Sequence, residues 1–235
     1  MQLKNPGVFI VLLLCVLLPQ SIFCGDRKSS QEEGRFDIYV ADKKIGQEKF
    51  SIVRSSDSIS SNSTTNLQNP AGQHESVQVE AQLKMDSQYM PQTYQVLAAI
   101  GDRKRKQKCT FIPGQATFEY QTDGVPRKSS LLVGDHYAIL DTYVFHHFIF
   151  VARLFDFRSG GKTQTVEVVI PQEIDTGFLK ITDVGTEGVS LQGKSRELHH
   201  LKVDSGPLKI DLWIDDEHVL YKIALPAKRL EVVRH

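Results

Sequence analysis

Two pairs of adjacent histidines are the residues of this chain best suited to chemistry. They are His146-His147 and His199-His200. Neighbouring residues point about 100° apart on a helix and to opposite faces on a strand. A zinc chelate needs other spacings, such as i,i+4 on a helix. We therefore predict no metal site and no cofactor. In each pair, one histidine should be hydrogen-bonded inside the protein and the other should point outward.

The first pair lies in an apolar and aromatic segment, residues 141–157. A histidine buried there, beside Arg153 and Asp156, would be a polar group in apolar surroundings. Since buried polar groups need hydrogen-bonding partners, we expect a ligand to make contact in this segment. The expected ligand-binding residues are Tyr143, Phe145, His146, His147, Phe148, Phe150 and Trp213.

Two other features could serve a hydrolase. Asp175-Thr176-Gly177 matches the tripeptide of aspartic proteases, in which two carboxylates share a proton. Phe178 follows where those enzymes have a small residue, and the tripeptide occurs only once, so we interpret it as a turn between strands. Cys109 has no motif around it and is expected to be a small core residue. We predict a protein without catalytic residues. The alternative is a hydrolase that uses Asp175 or a His-centred site.

The charges of the chain are balanced, with 28 Lys and Arg residues against 28 Asp and Glu residues. This balance removes the simplest indication of a nucleic-acid or anionic-membrane partner. One basic run, Arg103-Lys104-Arg105-Lys106 with Lys108, follows the turn dipeptide Gly101-Asp102. On a strand these cations would fall on both faces, so we interpret the run as a solvated hairpin tip and expect no nucleic acid.

The first 24 residues resemble a secretory signal peptide. Lys4 precedes an unbroken apolar run over residues 8–18, which is shorter than the roughly 20 residues needed to span a bilayer. An uncleaved anchor is the alternative. We expect an exported protein, periplasmic or secreted. Lipidation of Cys24 is the less favoured variant, and it would add a membrane anchor. Residues 25–34 are polar and are predicted to form a flexible leader.

The remainder, residues 35–235, is predicted to be a single domain made mainly of strands. Val77, Val79, Ala81, Leu83 and Met85 alternate with polar residues, as in a half-buried strand. Residues 57–69 are rich in Ser, Thr and Asn and indicate an exposed strand or a long loop. Further strands are predicted at residues 163–170, 177–182, 188–191, 196–203, 208–214, 219–225 and 230–233.

Residues 141–157 are the exception to this strand pattern. Asp141 can begin a helix and Gly160-Gly161 can end one. Apolar residues fall on every side of the helical wheel, so such a helix would be buried almost all round. An aromatic-rich strand pair is the alternative. We expect a mainly β fold, a strongly curved antiparallel sheet in the form of a half-barrel or open barrel, wrapped around one apolar aromatic helix.

Three stretches resemble a family of exported bacterial proteins of unknown function. That family is related to the half-barrel carriers typified by the periplasmic lipoprotein carrier. The stretches are the opening hairpin Gly34-Arg35-Phe36-Asp37-Ile38-Tyr39-Val40 through Lys44-Ile45-Gly46, the segment Phe145-His146-His147-Phe148, and the closing hairpin Leu212-Trp213-Ile214-Asp215-Asp216 through Val219-Leu220-Tyr221-Lys222-Ile223 with the tail Arg229-Leu230-Glu231-Val232-Val233. The resemblance implies a half-barrel around an apolar cavity that carries or senses lipid. It supplies no catalytic residues.

The sequence therefore predicts an exported, non-catalytic protein that binds an apolar ligand, a lipid or an acyl chain, and that associates peripherally with a membrane or through a lipid anchor. A hydrolase and a structural envelope component without a ligand are the alternatives.

Overall fold

The computed structural model describes residues 29–68, 76–122 and 124–235. The predicted signal peptide, Cys24 and residues 25–28 of the predicted leader lie outside the described residues. Within the described ranges, no helix is both long enough and apolar enough to cross a membrane.

Strands dominate both halves of the chain. The first half forms β1 (Ser30–Val40), β2 (Lys43–Arg54), β3 (Ser58–Gln68), β4 (Ser76–Asp86), β5 (Pro91–Ile100), β6 (Arg103–Ile112), β7 (Gln115–Thr122) and β8 (Val125–Leu132). The second half forms β9 (Tyr137–Ile139), α1 (His147–Arg153), β10 (Thr163–Ile170), β11 (Asp175–Leu191), β12 (Lys194–Asp204), β13 (Lys209–Ile214), β14 (Leu220–Leu225) and β15 (Leu230–Arg234). Short 3-10 helices occupy Phe157–Ser159 and Pro226–Lys228.

All the described strands belong to one mainly antiparallel sheet. Its order is β8-β7-β6-β5-β4-β3-β2-β1-β15-β14-β13-β12-β11-β10-β9, and only the β9–β10 pair is parallel. The sheet is a meander because short turns join most successive strands, which favours antiparallel neighbours. The first and last strands, β1 and β15, pair at its centre. The sheet is not closed, and β8 and β9 are its two edges.

Side chains connect the two halves of this open sheet. Gln107 of β6 donates a hydrogen bond to the carbonyl of Pro171 at 2.6 Å, and Arg105 donates to the carbonyl of Gln172 at 2.7 Å. Near them, Tyr94 of β5 donates to the carboxylate of Asp141 at 2.8 Å. We call these three bonds the side-chain seam. They hold Asp141, which follows β9, and Pro171 and Gln172, which follow β10, against β5 and β6.

The alternation of apolar and polar residues in the sequence matches the observed alternation of buried and exposed side chains. The five apolar residues of β4 are buried and alternate with exposed residues, as predicted. Residues 58–68 form a strand, β3, of which one face is buried, so this segment is neither fully exposed nor a long loop. Its inward positions are Ile59, Ser61, Ser63, Thr65 and Leu67, all of them buried. The small Ser and Thr side chains concealed the alternation, since only the first and last of the five are apolar. We call the face that carries these buried residues the inner face.

The predicted leader ends earlier than expected. Strand β1 begins at Ser30, so residues 30–34 pair with β2 although they are polar. Glu32 explains this difference. Its carboxylate binds Arg54 at 2.8 Å and Arg234 at 3.1 Å, which ties the polar start of β1 to two other strands.

The predicted helix over residues 141–157 is much shorter in the structure. Only His147–Arg153 is α-helical, about 10 Å in length at 1.5 Å per residue. Tyr143 has a φ of 64°, a left-handed conformation that cannot continue an α-helix. Asp141 binds Tyr94 and does not begin the helix. Asp156 instead caps the following 3-10 helix by accepting from the N–H of Arg158, and Gly160 ends it with a φ of 70°.

Candidate functional site

A group of buried polar residues lies on the inner face beneath the start of α1. It consists of Glu48 of β2, Ser61 and Thr65 of β3, and His146 and His147. We call it the inner polar cluster. Each member is at most 1 % exposed, and the side chains around it include Phe50, Phe150 and Tyr94. Groups this polar are uncommon in a core unless they are paired.

Glu48 and Ser61 hold the imidazole of His146 from its two sides. The Nδ1 atom lies 2.8 Å from Oε1 of Glu48, and the backbone N–H of His146 donates to Oε2 of the same carboxylate at 2.9 Å. The Nε2 atom lies 3.2 Å from Oγ of Ser61. A carboxylate only accepts, so Nδ1 is the donor to Glu48, and in the neutral imidazole Nε2 is then the acceptor for the serine hydroxyl. The ring is also stacked on Phe50, with centroids 5.7 Å apart.

His147 is as buried as His146, but neither of its ring nitrogens has a hydrogen-bond partner among the described residues. Its ring contacts His146, with centroids 4.7 Å apart, and the edge of Tyr94 at 5.4 Å. Burial lowers the pKa of His147 well below its usual value, and the neighbouring His146 lowers it further. The ring is therefore neutral and offers one donor and one acceptor. The expectation that one histidine of this pair points outward is wrong.

Thr65 fixes the chain segment that leads into α1. Its hydroxyl donates to the carbonyl of Tyr143 at 2.7 Å. Tyr143 has a φ of 64°, which costs a residue other than glycine about 1–3 kcal/mol. The bond from Thr65 holds this segment at Tyr143, and the bonds of His146 to Glu48 hold it three residues later. These two attachments keep Tyr143 in its strained conformation.

The side-chain seam places a half-buried acid, Asp141, close to the cluster. Burial raises the pKa of Asp141 to about 6, although the hydroxyl of Tyr94 and the N–H of Thr142 favour the charged form. Burial also raises the pKa of Tyr94 well above its usual value. Cys109, opposite Tyr94 on β6, lies in the core as predicted, and burial raises the pKa of its thiol.

The predicted ligand-binding residues do not all meet. Phe145, His146, His147 and Phe150 are buried together near α1, while Tyr143 and Phe148 at the same segment are half-buried. Trp213 lies on the opposite face of the sheet, between the buried Leu212 and Ile214. There it stacks on His200, with centroids 4.7 Å apart, and donates to Glu187. It does not contribute to the inner polar cluster.

Sequence reasoning missed the strand residues of the cluster. Glu48 stands two positions before Phe50 and four before Ile52, both of which face inward, so the period of two already places it inside. Ser61 and Thr65 alternate between Ile59 and Leu67 in the same way. The signal was present in the spacing, but the polar side chains concealed it.

The other chemistry candidates are surface features. The prediction that Asp175-Thr176-Gly177 forms a turn is wrong: these residues begin β11 and pair with β10, and the turn lies just before them, at residues 171–174. Asp175 is exposed, and its carboxylate accepts the N–H of Thr176. His199 and His200 point to opposite faces and bind Asp216 and Asp211, respectively. No three His, Cys, Asp or Glu residues of the described ranges are grouped so that they could hold a metal ion. The basic run begins β6 after the Gly101-Asp102 turn, and only Arg105 is half-buried.

Two cavities open on the outer face of the sheet. One, of about 330 Å³, is lined by the polar side chains of Lys49, Asn62, Glu80 and Gln82 among others. The other, of about 410 Å³, is lined by Lys180, Lys202 and Lys209 with two aspartates. Their charged linings differ from the apolar cavity that the sequence predicts.

Comparison with known proteins identifies the fold but no activity. No family model matches the chain, and no curated protein matches it. The structure is similar to a crystal structure of a β-barrel-like protein of a domain of unknown function, DUF1849, from Brucella abortus. The TM-score is 0.56 and the identity 8 %, over 88 % of this chain and 95 % of that one. The likeness agrees with the predicted resemblance to bacterial barrel-like proteins of unknown function.

Proposed function

We propose that this protein binds an apolar ligand, such as the acyl chain of a lipid, between the inner face of its curved sheet and the segment around α1. The observation that carries the proposal is His147. Its two ring nitrogens are buried, have no partner in the part of the chain that the structure describes, and lie beside the rings of Tyr94 and Phe150. An unsatisfied buried polar group costs about 1–3 kcal/mol, and a polar group of a bound ligand would remove that cost.

The surroundings of His147 fit a ligand with an apolar body and one polar group. Phe150, Tyr94 and Phe50 offer aromatic surfaces, and His147 offers one hydrogen-bond donor and one acceptor. Binding sites of this kind are mostly apolar, with a few polar groups that fix the orientation of the ligand. We propose that Tyr143, Phe145 and Phe148, on the same segment, contact the apolar body.

Entry of such a ligand requires the segment around α1 to move away from the inner face. The sheet permits this movement, since its edges β8 and β9 are not hydrogen-bonded to each other and the side-chain seam consists of three bonds. The strained Tyr143 lies where the movement would occur. Release of that strain would offset part of the cost of opening.

We further propose that the protein is exported, with residues 1–24 removed, and that it meets lipid in the periplasm or outside the cell by peripheral contact with a membrane. The apolar run over residues 8–18 supports export. The mass of the exported chain tests it. A mass beginning at residue 25 is expected, and retention of residue 1 would contradict it.

Native mass spectrometry of the exported full chain tests the binding function. We expect co-purified adducts with the mass of fatty acids or lipids, and saturable binding of the fluorescent fatty acid cis-parinaric acid. His147→Phe should lower the occupancy about tenfold, since a lost hydrogen bond of about 1.4 kcal/mol corresponds to that factor. Trp213→Phe, on the outer face, is the matched control and should bind like the wild type. Absence of adducts together with absence of cis-parinaric acid binding would overturn the proposal.

A further inference from the structure

The geometry of the inner polar cluster points to an acyl-transfer site, and we propose that Ser61 is its nucleophile, with an ester of an apolar acyl group as substrate. In this site His146 is the general base, Glu48 orients it, and His147 donates to the oxygen that gains negative charge. Such a site departs from the expectation that the protein has no catalytic residues. The acyl class of its substrate and the opening of the segment around α1 rest on the proposed binding function.

The three groups meet the geometric requirement of an activated serine. A nucleophile and its base should lie within about 2.6–3.2 Å, with the base oriented by a third group. Oγ of Ser61 lies 3.2 Å from Nε2 of His146, and Nδ1 lies 2.8 Å from Glu48. The residues come from β3, β2 and the start of α1, so this arrangement is recognisable only in the fold.

A purely structural role for these residues would explain the Glu48–His146 pair, because a buried acid needs a partner. It leaves His147 unexplained. His147 adjoins His146, with ring centroids 4.7 Å apart, is fully buried, and has no partner for either nitrogen among the described residues. A neutral imidazole with a free N–H is a suitable donor to an oxyanion. An acyl-transfer site therefore gives a function to His147, a buried histidine whose two ring nitrogens both lack a partner among the described residues.

The reaction balances with water as the only co-reactant. Oγ of Ser61 attacks the ester carbonyl carbon while its proton passes to Nε2 of His146, and Glu48 stabilises the imidazolium. The carbonyl oxygen becomes an oxyanion that accepts a hydrogen bond from His147. The carbon–oxygen bond to the alcohol then breaks, and the alcohol leaves with the proton from His146. Water hydrolyses the acyl-Ser61 ester by the same route and releases the carboxylic acid.

The substrate class follows from the walls of the cluster. Phe50 stacks on His146, and Phe150 and Tyr94 contact His147. These surfaces suit an apolar acyl group. Ser61 is 1 % exposed, so an ester reaches it only when the segment around α1 opens, and we expect slow turnover that is limited by opening.

Labelling with an alkyl fluorophosphonate tests the proposal, because this probe phosphonylates activated serines with loss of fluoride. We expect the wild-type full chain to gain one phosphonyl group, located on Ser61 by peptide mass spectrometry. Ser61→Ala should not be labelled. Ser63→Ala is the matched control, since Ser63 is also a buried serine of the inner face, two positions along β3, and it should be labelled at the wild-type rate.

The partners of Ser61 should affect the rate of labelling. His146→Gln should slow it about 100-fold or more, as expected for loss of a general base. Glu48→Gln should slow it as well, and Glu48→Asp should restore part of the rate, which distinguishes positioning of the base from a structural role. Hydrolysis of p-nitrophenyl butyrate should follow the same order. If the histidine and glutamate variants do not fold, the comparison of Ser61→Ala with Ser63→Ala still decides.

Two results would overturn the proposal. One is a folded wild type that gains no label on Ser61 at any temperature up to the onset of unfolding. The other is equal labelling of Ser61→Ala and the wild type. Binding of cis-parinaric acid separates this failure from failure of the proposed function. Binding without labelling leaves a carrier without an acyl-transfer site, while labelling without binding leaves the nucleophile but removes the carrier role.

Discussion

At the residue scale, His146 and His147 are adjacent and equally buried, yet within the described ranges only the imidazole of His146 has hydrogen-bond partners. This contrast predicts opposite effects of the same substitution on stability. His147→Phe removes an unsatisfied polar group and should raise the free energy of unfolding by roughly 1 kcal/mol. His146→Phe keeps the backbone bond to Oε2 of Glu48 but leaves Oε1 of this buried carboxylate without the imidazole, and it should lower the free energy of unfolding by roughly 3–5 kcal/mol.

Urea denaturation of the two variants and the wild type measures these changes. Equal destabilisation by both substitutions would show that His147 has a partner that the structure does not contain, such as an ordered water. The comparison is internally controlled, since both substitutions bring the same side chain into the same short segment.

Asp141 provides a prediction for the effect of pH. Its pKa is about 6 in the folded protein, above the usual value of 3.8, because of burial. Between those values the unfolded chain releases the proton first, so the wild type loses stability as pH rises from about 4 to about 6 and then levels off. At 1.36 kcal/mol per pKa unit, this loss amounts to roughly 3 kcal/mol.

Asp141→Asn removes this titration and keeps an acceptor for the hydroxyl of Tyr94. The variant should match the wild type at pH 4 and exceed it in stability at pH 8, as measured by urea denaturation at both values. If the variant and the wild type differ in stability by the same amount at pH 4 and pH 8, Asp141 titrates near its ordinary pKa in the folded protein.

At the element scale, strand β1 depends on a glycine that makes room for an aromatic ring. A Cβ atom at Gly34 would lie 2.3 Å from Cζ of Phe50, and Phe50 stacks on His146. Gly34→Ala should therefore displace Phe50 and lower the free energy of unfolding by about 1–3 kcal/mol, the usual cost of overpacking. Gly177→Ala in β11 is the matched control, because its Cβ would lie 3.7 Å from the nearest side-chain atom of Val168.

Urea midpoints of the two alanine variants give the comparison. Gly177→Ala should be neutral or slightly stabilising, since alanine reduces the entropy of the unfolded chain. Equal midpoints for both variants would mean that Phe50 can relax without cost, and the contact between Phe50 and His146 would then contribute little to the position of α1.

Strands could be predicted from the sequence where apolar residues follow the two-residue period of a strand. The strand at residues 163–170 was predicted with the bounds of β10, because apolar residues mark its inward positions. The predicted strands at 177–182 and 188–191 are one strand, β11, with a bulge between Asp183 and Gly185 that interrupts the period. The helix was predicted too long, since the left-handed backbone of Tyr143 depends on the tertiary bond from Thr65. For the same reason, the partners of His146 on β2 and β3 could not be foreseen from the segment alone.

At the scale of the whole molecule, the sheet is open in its hydrogen bonding and is held together across its halves by the side-chain seam. Gln107 of this seam is 1 % exposed, and it donates to the carbonyl of Pro171 at 2.6 Å. Gln107→Leu keeps the approximate volume but leaves that carbonyl without its donor. We expect the segment from β9 to β10 to open more often, with amide exchange in Tyr137–Ile139 about tenfold faster, as a loss of about 1.4 kcal/mol implies.

Hydrogen exchange followed by mass spectrometry resolves this effect from a general loss of stability. Amides of β3 and β4 lie in the other half of the sheet and should exchange at the wild-type rate. Lys108→Leu, one position along β6 on the exposed face, is the matched control and should leave amide exchange in β9 unchanged.

If ligand entry uses this seam, Gln107→Leu should also speed binding of cis-parinaric acid and labelling of Ser61 by the same factor. Faster exchange in β9 without faster labelling would place the route to Ser61 elsewhere, at the start of α1, where Thr65 and Glu48 hold the chain.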